Sequence, residues 1–203
     1  MKIDPRNMDN MEFYRLFSSV VVPRPIAWVS TIGKNGIFNL APFSFFGIIS
    51  PSPALIYINI GRKRAGQKKD TLVNIESSKD FVVNIVSEDL AEAMNRSSTE
   101  YPSEVDEYKE VGLNPVKADI VTSPMLAESP VNMECQLFDM MEFGDFPRRS
   151  SVVIGEVVRV HIKEELYANG EIQFSVLRVL GRHSGNLYCR TTDIIEMERP
   201  PVS

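Results

Sequence analysis

The chain has 203 residues, of which 43% are hydrophobic and 24% are charged, and its formal net charge is −5. These values predict a single globular, soluble domain over residues 1–203 and exclude a disordered chain. An acidic chain is also a poor nucleic-acid binder, and no apolar run is long enough to cross a membrane. The acidic residues near the N-terminus leave no room for the apolar core of a signal peptide.

The first half of the chain mixes predicted strands with short helices. Asp9 is a suitable N-cap for a helix over residues 9–18. The β-branched segment "IAWVSTI" (26–32) ends at the turn "GKNG" (33–36), which predicts a strand followed by a hairpin. Further strands are predicted over residues 54–60 and 80–86, and further helices over residues 70–77 and 88–95.

The second half begins with a polar, proline-bearing stretch over residues 99–130, which we expect to be a surface excursion with short helical turns. Two long strands are predicted over 132–143 and 151–166, and short strand pieces over 170–190. Many strands and few helices predict a mainly β fold, an antiparallel barrel with a few peripheral helices. The lack of regular βα alternation argues against a doubly wound parallel sheet.

The most apolar segment is "NLAPFSFFGIISPSPALIYIN", residues 39–59, in which three prolines interrupt any regular pattern. We predict that residues 39–46 form a bend and that "SPSP" (50–53) breaks the chain before the next strand. The aromatic residues of this region admit two interpretations: they form the core, or they form one wall of a site for a flat heteroaromatic ligand. Polar groups in these apolar surroundings favour a ligand, because unpaired polar groups are costly there; they are Ser30, Thr31, Asn39 and Ser44.

A second unusual segment is "GRKRAGQKKDT" (61–71), which precedes the predicted helix at Asp70 or Thr71. It contains five of the 22 cations of the chain: Arg62, Lys63, Arg64, Lys68 and Lys69. Cations are unfavourable at a helix N-terminus, whereas a bound phosphate is favourable there. The cluster is therefore either a phosphate site or a solvated basic loop.

Common catalytic devices are missing from the sequence. It contains no GxGxxG, no P-loop and no GxSxG motif, and its two histidines lack the spacing of metal ligands. We therefore predict no metal site and no catalytic side chain, and a bound organic cofactor is the economical source of any chemistry. Cys135 and Cys189 have no CxxC spacing, which favours reduced thiols in a cytoplasmic protein over a disulfide.

Six motifs in order resemble the flavin reductase-like family, which has the FMN-binding split-barrel fold. They are "VVPRPIAWVST", "GKNGIFNLAPFSFFGIISPSPALIYINI", "KDTLVNI", "FVVNIV", "VVIGEVVRVHI" and "GRHSGNLYCR". Together they cover the chain from about residue 17 to residue 190. Each motif alone is weak, and their order and spacing carry the resemblance.

The resemblance implies a homodimer of split barrels that binds FMN and uses NADH or NADPH to reduce flavin for a partner monooxygenase or another acceptor. It also implies which residues contact FMN. Those along the ring and ribityl chain are Trp28, Ser30, Thr31, Asn39, Ala41, Pro42, Phe43, Ser44 and Phe45. Those near the phosphate are Arg62, Lys69, Asp70 and Thr71, and those of the C-terminal motif are His183 and Tyr188.

The chain departs from the family at one motif. Many relatives that use nicotinamide nucleotides have Gly-Asp-His before the "IGEV" strand, whereas here Gly144 and Asp145 are followed by Phe146. This difference keeps a second hypothesis open, a flavoredoxin-like electron-transfer protein without its own nicotinamide activity. A third hypothesis, a barrel that has lost flavin, is disfavoured by the polar residues retained in the apolar stretch.

Overall fold

The computed structural model describes residues 1–201, which form a curved sheet with short helices around it. The strands of this part of the chain are β1 Ala27–Ile32, β2 Phe38–Phe43, β3 Phe46–Pro51, β4 Ala54–Ile60, β5 Asp80–Ile85, β6 Pro115–Val116, β7 Met125–Leu126, β8 Val131–Phe143, β9 Ser150–Ile162, β10 Tyr167–Ala168, β11 Glu171–Ile172, β12 Leu180–Arg182 and β13 Tyr188–Arg190. The helices are α1 Asn10–Val20, α2 Asp70–Ser78, α3 Ala91–Arg96, α4 Glu107–Val111 and α5 Phe174–Leu177. Short 3-10 turns cover Pro5–Asn7, Glu88–Leu90 and Glu164–Leu166.

Seven strands form one antiparallel sheet in the order β2-β1-β5-β8-β9-β4-β3. Its two edge strands, β2 and β3, are consecutive in the chain and are joined by Ser44 and Phe45. The backbone amide of Asn59 on β4 donates to the carbonyl of Phe45 at 2.8 Å. The sheet therefore curls until its edges meet at this bend, and the predicted mainly β split barrel is confirmed.

The interior of the barrel is filled by alternate residues of its strands, as a half-buried sheet requires. Ile58, Phe81, Val83 and Val153 are all fully buried in this cluster. Gly155 on β9 makes room for Phe81, because a Cβ atom at this position would collide with the Phe81 ring. The barrel is thus a packed core, and space for a ligand lies outside it.

Several predicted elements are confirmed with small shifts at their ends. The side chain of Asp9 caps α1 by accepting from the amide of Met11 at 2.8 Å. β1 and β2 form the predicted hairpin, and both cysteines are free thiols. Among residues 1–201, no helix is long and apolar enough to span a membrane.

Three local predictions are wrong. The bend predicted over residues 39–46 is confined to Ser44 and Phe45, because Pro42 lies within edge strand β2, where a missing amide is tolerated. Strand β3 covers Phe46–Pro51, and it was not predicted because prolines interrupt the sequence pattern there. The strand predicted over 151–166 ends at Ile162, and the C-terminal strand pieces are interrupted by the single helical turn α5.

The predicted surface excursion over residues 99–130 is instead partly buried. Tyr108 and Leu126 are almost completely enclosed in the second hydrophobic cluster. Carboxylate and amide side chains from the barrel accept hydrogen bonds from the backbone of the excursion: Glu134 from Ile120 at 2.7 Å, and Asn84 from Leu126 at 2.9 Å. These partners satisfy backbone groups that would otherwise require water, so the segment can lie against the sheet.

Candidate functional site

One cleft lies where α1, the bend after β2 and the hairpin β12–β13 meet. We call it the arginine cleft, and its volume is about 460 Å³. Apolar and aromatic side chains form much of its wall, and the polar groups include serines, two amides, arginines and a histidine. The lining residues used below are Tyr14, Arg15, Arg24, Pro42, Phe43, Ser44, Asn95, Ser98, Arg182, His183 and Tyr188.

Helix α1 forms one side of the arginine cleft and is fixed to it by two contacts. The ring of Tyr14 packs against Phe45 with 6.3 Å between centroids. The hydroxyl groups of Ser18 and Ser184 lie 3.4 Å apart, which joins the helix to the β12–β13 loop. These contacts connect residues from opposite ends of the chain around one cleft.

Arg24 lies at the base of the cleft with only 7% of its surface exposed. Its Nη1 donates to the carbonyls of Ser18 at 2.5 Å and Val21 at 2.8 Å, and its Nη2 donates to the carbonyl of His183 at 2.8 Å. Burial lowers the pKa of Arg24, and the nearby cation Arg182 lowers it further. Arg24 therefore fastens α1 to the β12–β13 hairpin while placing a positive charge beneath the cleft.

The hairpin β12–β13 supplies the opposite wall. The guanidinium of Arg182 lies 4.3 Å from the centroid of the Tyr188 ring, a cation–π arrangement. The Tyr188 hydroxyl donates to the side-chain oxygen of Asn95 at 3.3 Å, and the amide of His183 donates to the carbonyl of Leu187 at 3.0 Å. The two predicted residues of the C-terminal motif, His183 and Tyr188, therefore both face the arginine cleft.

A smaller cleft of about 90 Å³ adjoins the first and shares Pro42 and Ser98 with it. We call it the lysine cleft, and we refer to the two neighbouring clefts together as the groove. It is lined by the predicted residues Asn39, Ala41, Lys69, Asp70 and Thr71, and also by Lys63, Ser97, Ser98, Thr99, Glu100, Tyr101 and Glu107.

Helix α2 opens onto the lysine cleft without a side-chain cap, and Lys69 is its N-cap residue. The ammonium of Lys69 lies 5.9 Å from the centroid of the Phe43 ring, which also lines the arginine cleft. The Thr71 hydroxyl accepts from the side-chain amide of Asn39 at 3.0 Å. Two of the predicted flavin-binding segments, residues 39–45 and 69–71, thus meet at this cleft.

Carboxylates balance the cations of the lysine cleft. Lys63 pairs with Asp70 at 2.7 Å, and Glu107 is buried and accepts from the amide of Leu40 at 3.2 Å. Burial raises the pKa of Glu107 to about 7, with smaller contributions from the charges of Asp70 and Asp106. The Glu107 carboxyl therefore titrates near neutral pH, where an exposed glutamate is fully ionised.

Five predicted site residues have side chains that do not line the groove, and Phe45, which packs behind it against Tyr14, is one of them. The hydroxyl of Ser30 donates to the carbonyl of Pro124 at 2.5 Å, and Thr31 accepts from Asn74 at 3.0 Å, so both are paired inside the protein. Trp28 is fully buried and donates to the hydroxyl of Ser97 at 2.8 Å, just behind the lysine cleft. Arg62 donates to Ser151 and pairs with Glu142.

The sequence did not predict the cations of the arginine cleft, Arg15, Arg24 and Arg182. Each stands alone in its motif, so no local excess of charge marks it. Two short motifs could have indicated Arg24 and Arg182. One is "VVPRPIAWVST", whose arginine lies between two prolines at the start of the first strand, and the other is "GRH". Their proximity follows from the topology, which places the chain before β1 beside β12 through the bridge between Arg24 and Arg182.

The residues that replace the Gly-Asp-His motif lie at the tip of the β8–β9 hairpin. Phe146 is 74% exposed, and its ring packs on the loop before α2, where a Cβ atom at Gly66 would lie 2.5 Å from it. Phe146 lines neither cleft of the groove.

One cluster outside the groove has the side chains of a metal site, namely Asp119, Glu134 and His161. Glu134 is already occupied, because it accepts from the amides of Asp119, Ile120 and Val121 and from His161 at 2.6 Å. Burial acts to raise the pKa of Glu134, but these hydrogen bonds outweigh it and bring the pKa to about 2. The cluster braces the excursion against the barrel.

Comparison with known proteins identifies the family. Residues 18–191 match the family model described as "Flavin reductase like domain". The chain belongs to the flavin reductase-like family. Within this family, the uncharacterized protein BH2278 of Halalkalibacterium halodurans is 37% identical to it over 205 residues, covering 100% of this chain and 98% of that one. The resemblance seen in the six motifs is confirmed, and it supports flavin as the class of cofactor.

Two solved structures of the flavin reductase-like fold are also similar. Nitrilotriacetate monooxygenase component B from Bacillus cereus superposes with a TM-score of 0.93 at 31% identity, covering 97% of this chain and 98% of that one. The 2-nitrobenzoate 2-nitroreductase NbaA of Pseudomonas fluorescens gives a TM-score of 0.89 at 31% identity, covering 98% and 96%.

Proposed function

We propose that the protein is an FMN-binding oxidoreductase of the flavin reductase type, which takes electrons from NADH or NADPH and passes them to flavin or another acceptor. One observation carries this proposal. In a chain of the flavin reductase-like family, an aromatic cleft shares two lining residues with a cleft that has a lysine, hydroxyl groups and an uncapped helix start.

The chemistry of the groove fits FMN, which combines a flat heteroaromatic ring, a polyol chain and a phosphate. Phe43 and Tyr188 supply apolar surface for a ring, and Asn95 and Ser98 supply polar groups beside it. Lys69 and the first turn of α2 supply positive charge and backbone amides, which favour a phosphate. FAD would require space for a further nucleotide, so we propose FMN as the cofactor.

We assign flavin binding to the predicted residues that line the groove: Asn39, Ala41, Pro42, Phe43, Ser44, Lys69, Asp70, Thr71, His183 and Tyr188. Phe45 supports the groove from behind through Tyr14. Trp28 acts by positioning Ser97, and Ser30, Thr31 and Arg62 are proposed to act through the backbone that they fix.

Flavin, when bound, supplies the redox chemistry by accepting a hydride and passing electrons onward. The side chains of the groove then need only bind, orient and exclude water. We place no side chain in an acid–base role, and we propose that the protein has no catalytic residue in the strict sense.

A second candidate function is electron transfer without nicotinamide activity, as in a flavoredoxin. The observation that favours it is Phe146, which stands where many relatives that use nicotinamide nucleotides have histidine. Its ring packs on Gly66 and contributes nothing to the groove. This candidate shares the flavin site and differs only in the source of the electrons.

We also propose that the chain is one domain that forms a homodimer. An exposed edge strand supports the dimer: Ile48 of β3 is 81% exposed, and such edges are usually covered. A partner monooxygenase is proposed as one acceptor, since the Bacillus cereus relative is named as a monooxygenase component.

Anaerobic mixing of the FMN-loaded protein with NADH and with NADPH tests the proposed function. Rapid loss of the visible flavin band with either nucleotide, followed by reduction of added free FMN, is the expected result. Normal FMN binding with no reduction by either nucleotide would favour the electron-transfer protein. Failure to bind FMN at all would overturn both candidates.

A further inference from the structure

We infer that the arginine cleft is a subsite for a co-substrate that carries an oxyanion, a carboxylate or a phosphate group bound by Arg182 and Arg15. The inference rests on the proposed function, because it assigns the substrate class of the same groove. It concerns a second small molecule beside the flavin.

The charge of the arginine cleft is the first observation. Arg15, Arg24, Arg182 and His183 line it, and no aspartate or glutamate among the described residues does so. The chain as a whole has a net charge of −5, whereas this cleft contains three arginines and no acidic residue from the described part of the chain. The sign of its charge is therefore opposite to that of the whole chain. None of these three arginines forms an ion pair within residues 1–201.

Arg24 shows why this charge favours an anion. Both protons of its Nη1 are donated to carbonyl oxygens, and Nη2 donates to a third, so its hydrogen bonds are largely satisfied. Its charge is nevertheless buried without a carboxylate partner, an arrangement that is costly unless a counter-charge is present. An anion in the cleft above Arg24 supplies that counter-charge.

Arg182 provides the donors that Arg24 lacks. Its guanidinium is held in place by the Tyr188 ring and by one hydrogen bond from Nη2 to the carbonyl of Gly185. These contacts leave Nη1 and Nε without a protein acceptor within residues 1–201, and a guanidinium of fixed orientation suits the planar, bidentate recognition of an oxyanion. Arg15 is exposed on α1 at the same cleft and adds a second cation there.

The lysine cleft does not compete for this anion. Lys63 there is neutralised by Asp70, and Glu100 and Glu107 add acidic groups, so only Lys69 and the start of α2 serve a phosphate. The flavin phosphate at the lysine cleft and a second oxyanion at the arginine cleft can therefore be bound together.

Titration of the FMN-loaded protein with three probes tests the inference: benzoate, inorganic phosphate, and the neutral analogue benzamide. Calorimetry and the perturbation of the flavin spectrum report binding. We expect benzoate or phosphate to bind and benzamide to bind much more weakly, and the stronger of the two anions identifies the oxyanion. Arg182→Gln should weaken the binding of that anion by roughly tenfold or more, and the exposed Arg15→Gln by roughly two- to fivefold.

Arg159→Gln is the matched control, because Arg159 is exposed and pairs with Asp119 outside the groove. Equal anion affinity in the Arg182→Gln and Arg159→Gln variants would overturn the inference, as would an affinity for benzamide equal to that for the stronger of the two anions. A loss of FMN affinity in Arg182→Gln without a loss of riboflavin affinity would also overturn it, because the flavin phosphate would then occupy the arginine cleft. If the protein binds no flavin but still binds benzoate through Arg182, the proposed function fails and the oxyanion subsite stands.

Discussion

The two ends of the groove differ in how their cations are compensated. At the lysine cleft Lys63 pairs with Asp70, and the buried Glu107 lies close by. At the arginine cleft Arg24 is buried without a carboxylate partner among the described residues. The density of cations in the sequence therefore predicts the local electrostatic field poorly. The positive charge with fewer carboxylate partners comes from isolated arginines that lie far apart in the chain.

Replacing Arg24 should change the stability of the protein more than replacing Glu107 or Tyr188. Arg24→Met removes three hydrogen bonds to carbonyl oxygens that join α1 to the β12–β13 hairpin. Buried acceptors left without partners should lower the free energy of unfolding by about 3 kcal/mol or more. Urea denaturation measures this change.

The control for Arg24→Met is Arg159→Met at an exposed pair, which should change stability by at most about 1 kcal/mol. Similar losses in the two variants would contradict a structural role for Arg24.

At the lysine cleft, Glu107 should make stability depend on pH. Its pKa in the folded protein is raised from the ordinary value of 4.5 to about 7, mainly by burial. The folded state therefore holds a proton that the unfolded state releases, and stability falls as the pH rises from about 4.5 to about 7. Glu107→Gln should remove this decline and add about 1–3 kcal/mol at pH 8.

Unfolding experiments at pH 5 and pH 8 measure the effect, with the exposed Glu110→Gln as control. An equal loss of stability between these pH values in Glu107→Gln and in the unaltered protein would refute the assignment.

Tyr188 allows a smaller test of the wall of the arginine cleft. Tyr188→Phe keeps the ring beneath Arg182 and removes the hydrogen bond to Asn95, whereas Tyr188→Leu removes both. The leucine variant should lose about 0.5–1 kcal/mol of stability more than the phenylalanine variant, because it lacks the cation–π contact. Thermal unfolding of the two variants measures the difference, and equal melting temperatures would show that the stacking contributes nothing.

Elements with a strong local pattern were predictable from the sequence, and β4 and α2 lie within a residue of their predicted bounds. The buried excursion was not predictable, because its burial depends on acceptors far away in the chain, such as Asp80, which bonds Thr122 at 2.9 Å. Lys69, Asp70 and Thr71 of the lysine cleft could be predicted to lie together, because they are adjacent in one motif. Arg24 could not, because its partners are carbonyls at residues 18, 21 and 183.

The central claim is that the groove binds FMN with its phosphate at Lys69, and a comparison of FMN with riboflavin tests it most directly. Both dissociation constants are measured for the unaltered protein, for Lys69→Ala and for the control Lys68→Ala, which removes an exposed pair with Glu76. Lys69→Ala should weaken FMN binding by roughly ten- to a hundredfold, the value of a charge-assisted hydrogen bond, and leave riboflavin binding unchanged. Unchanged FMN affinity in Lys69→Ala would contradict the claim.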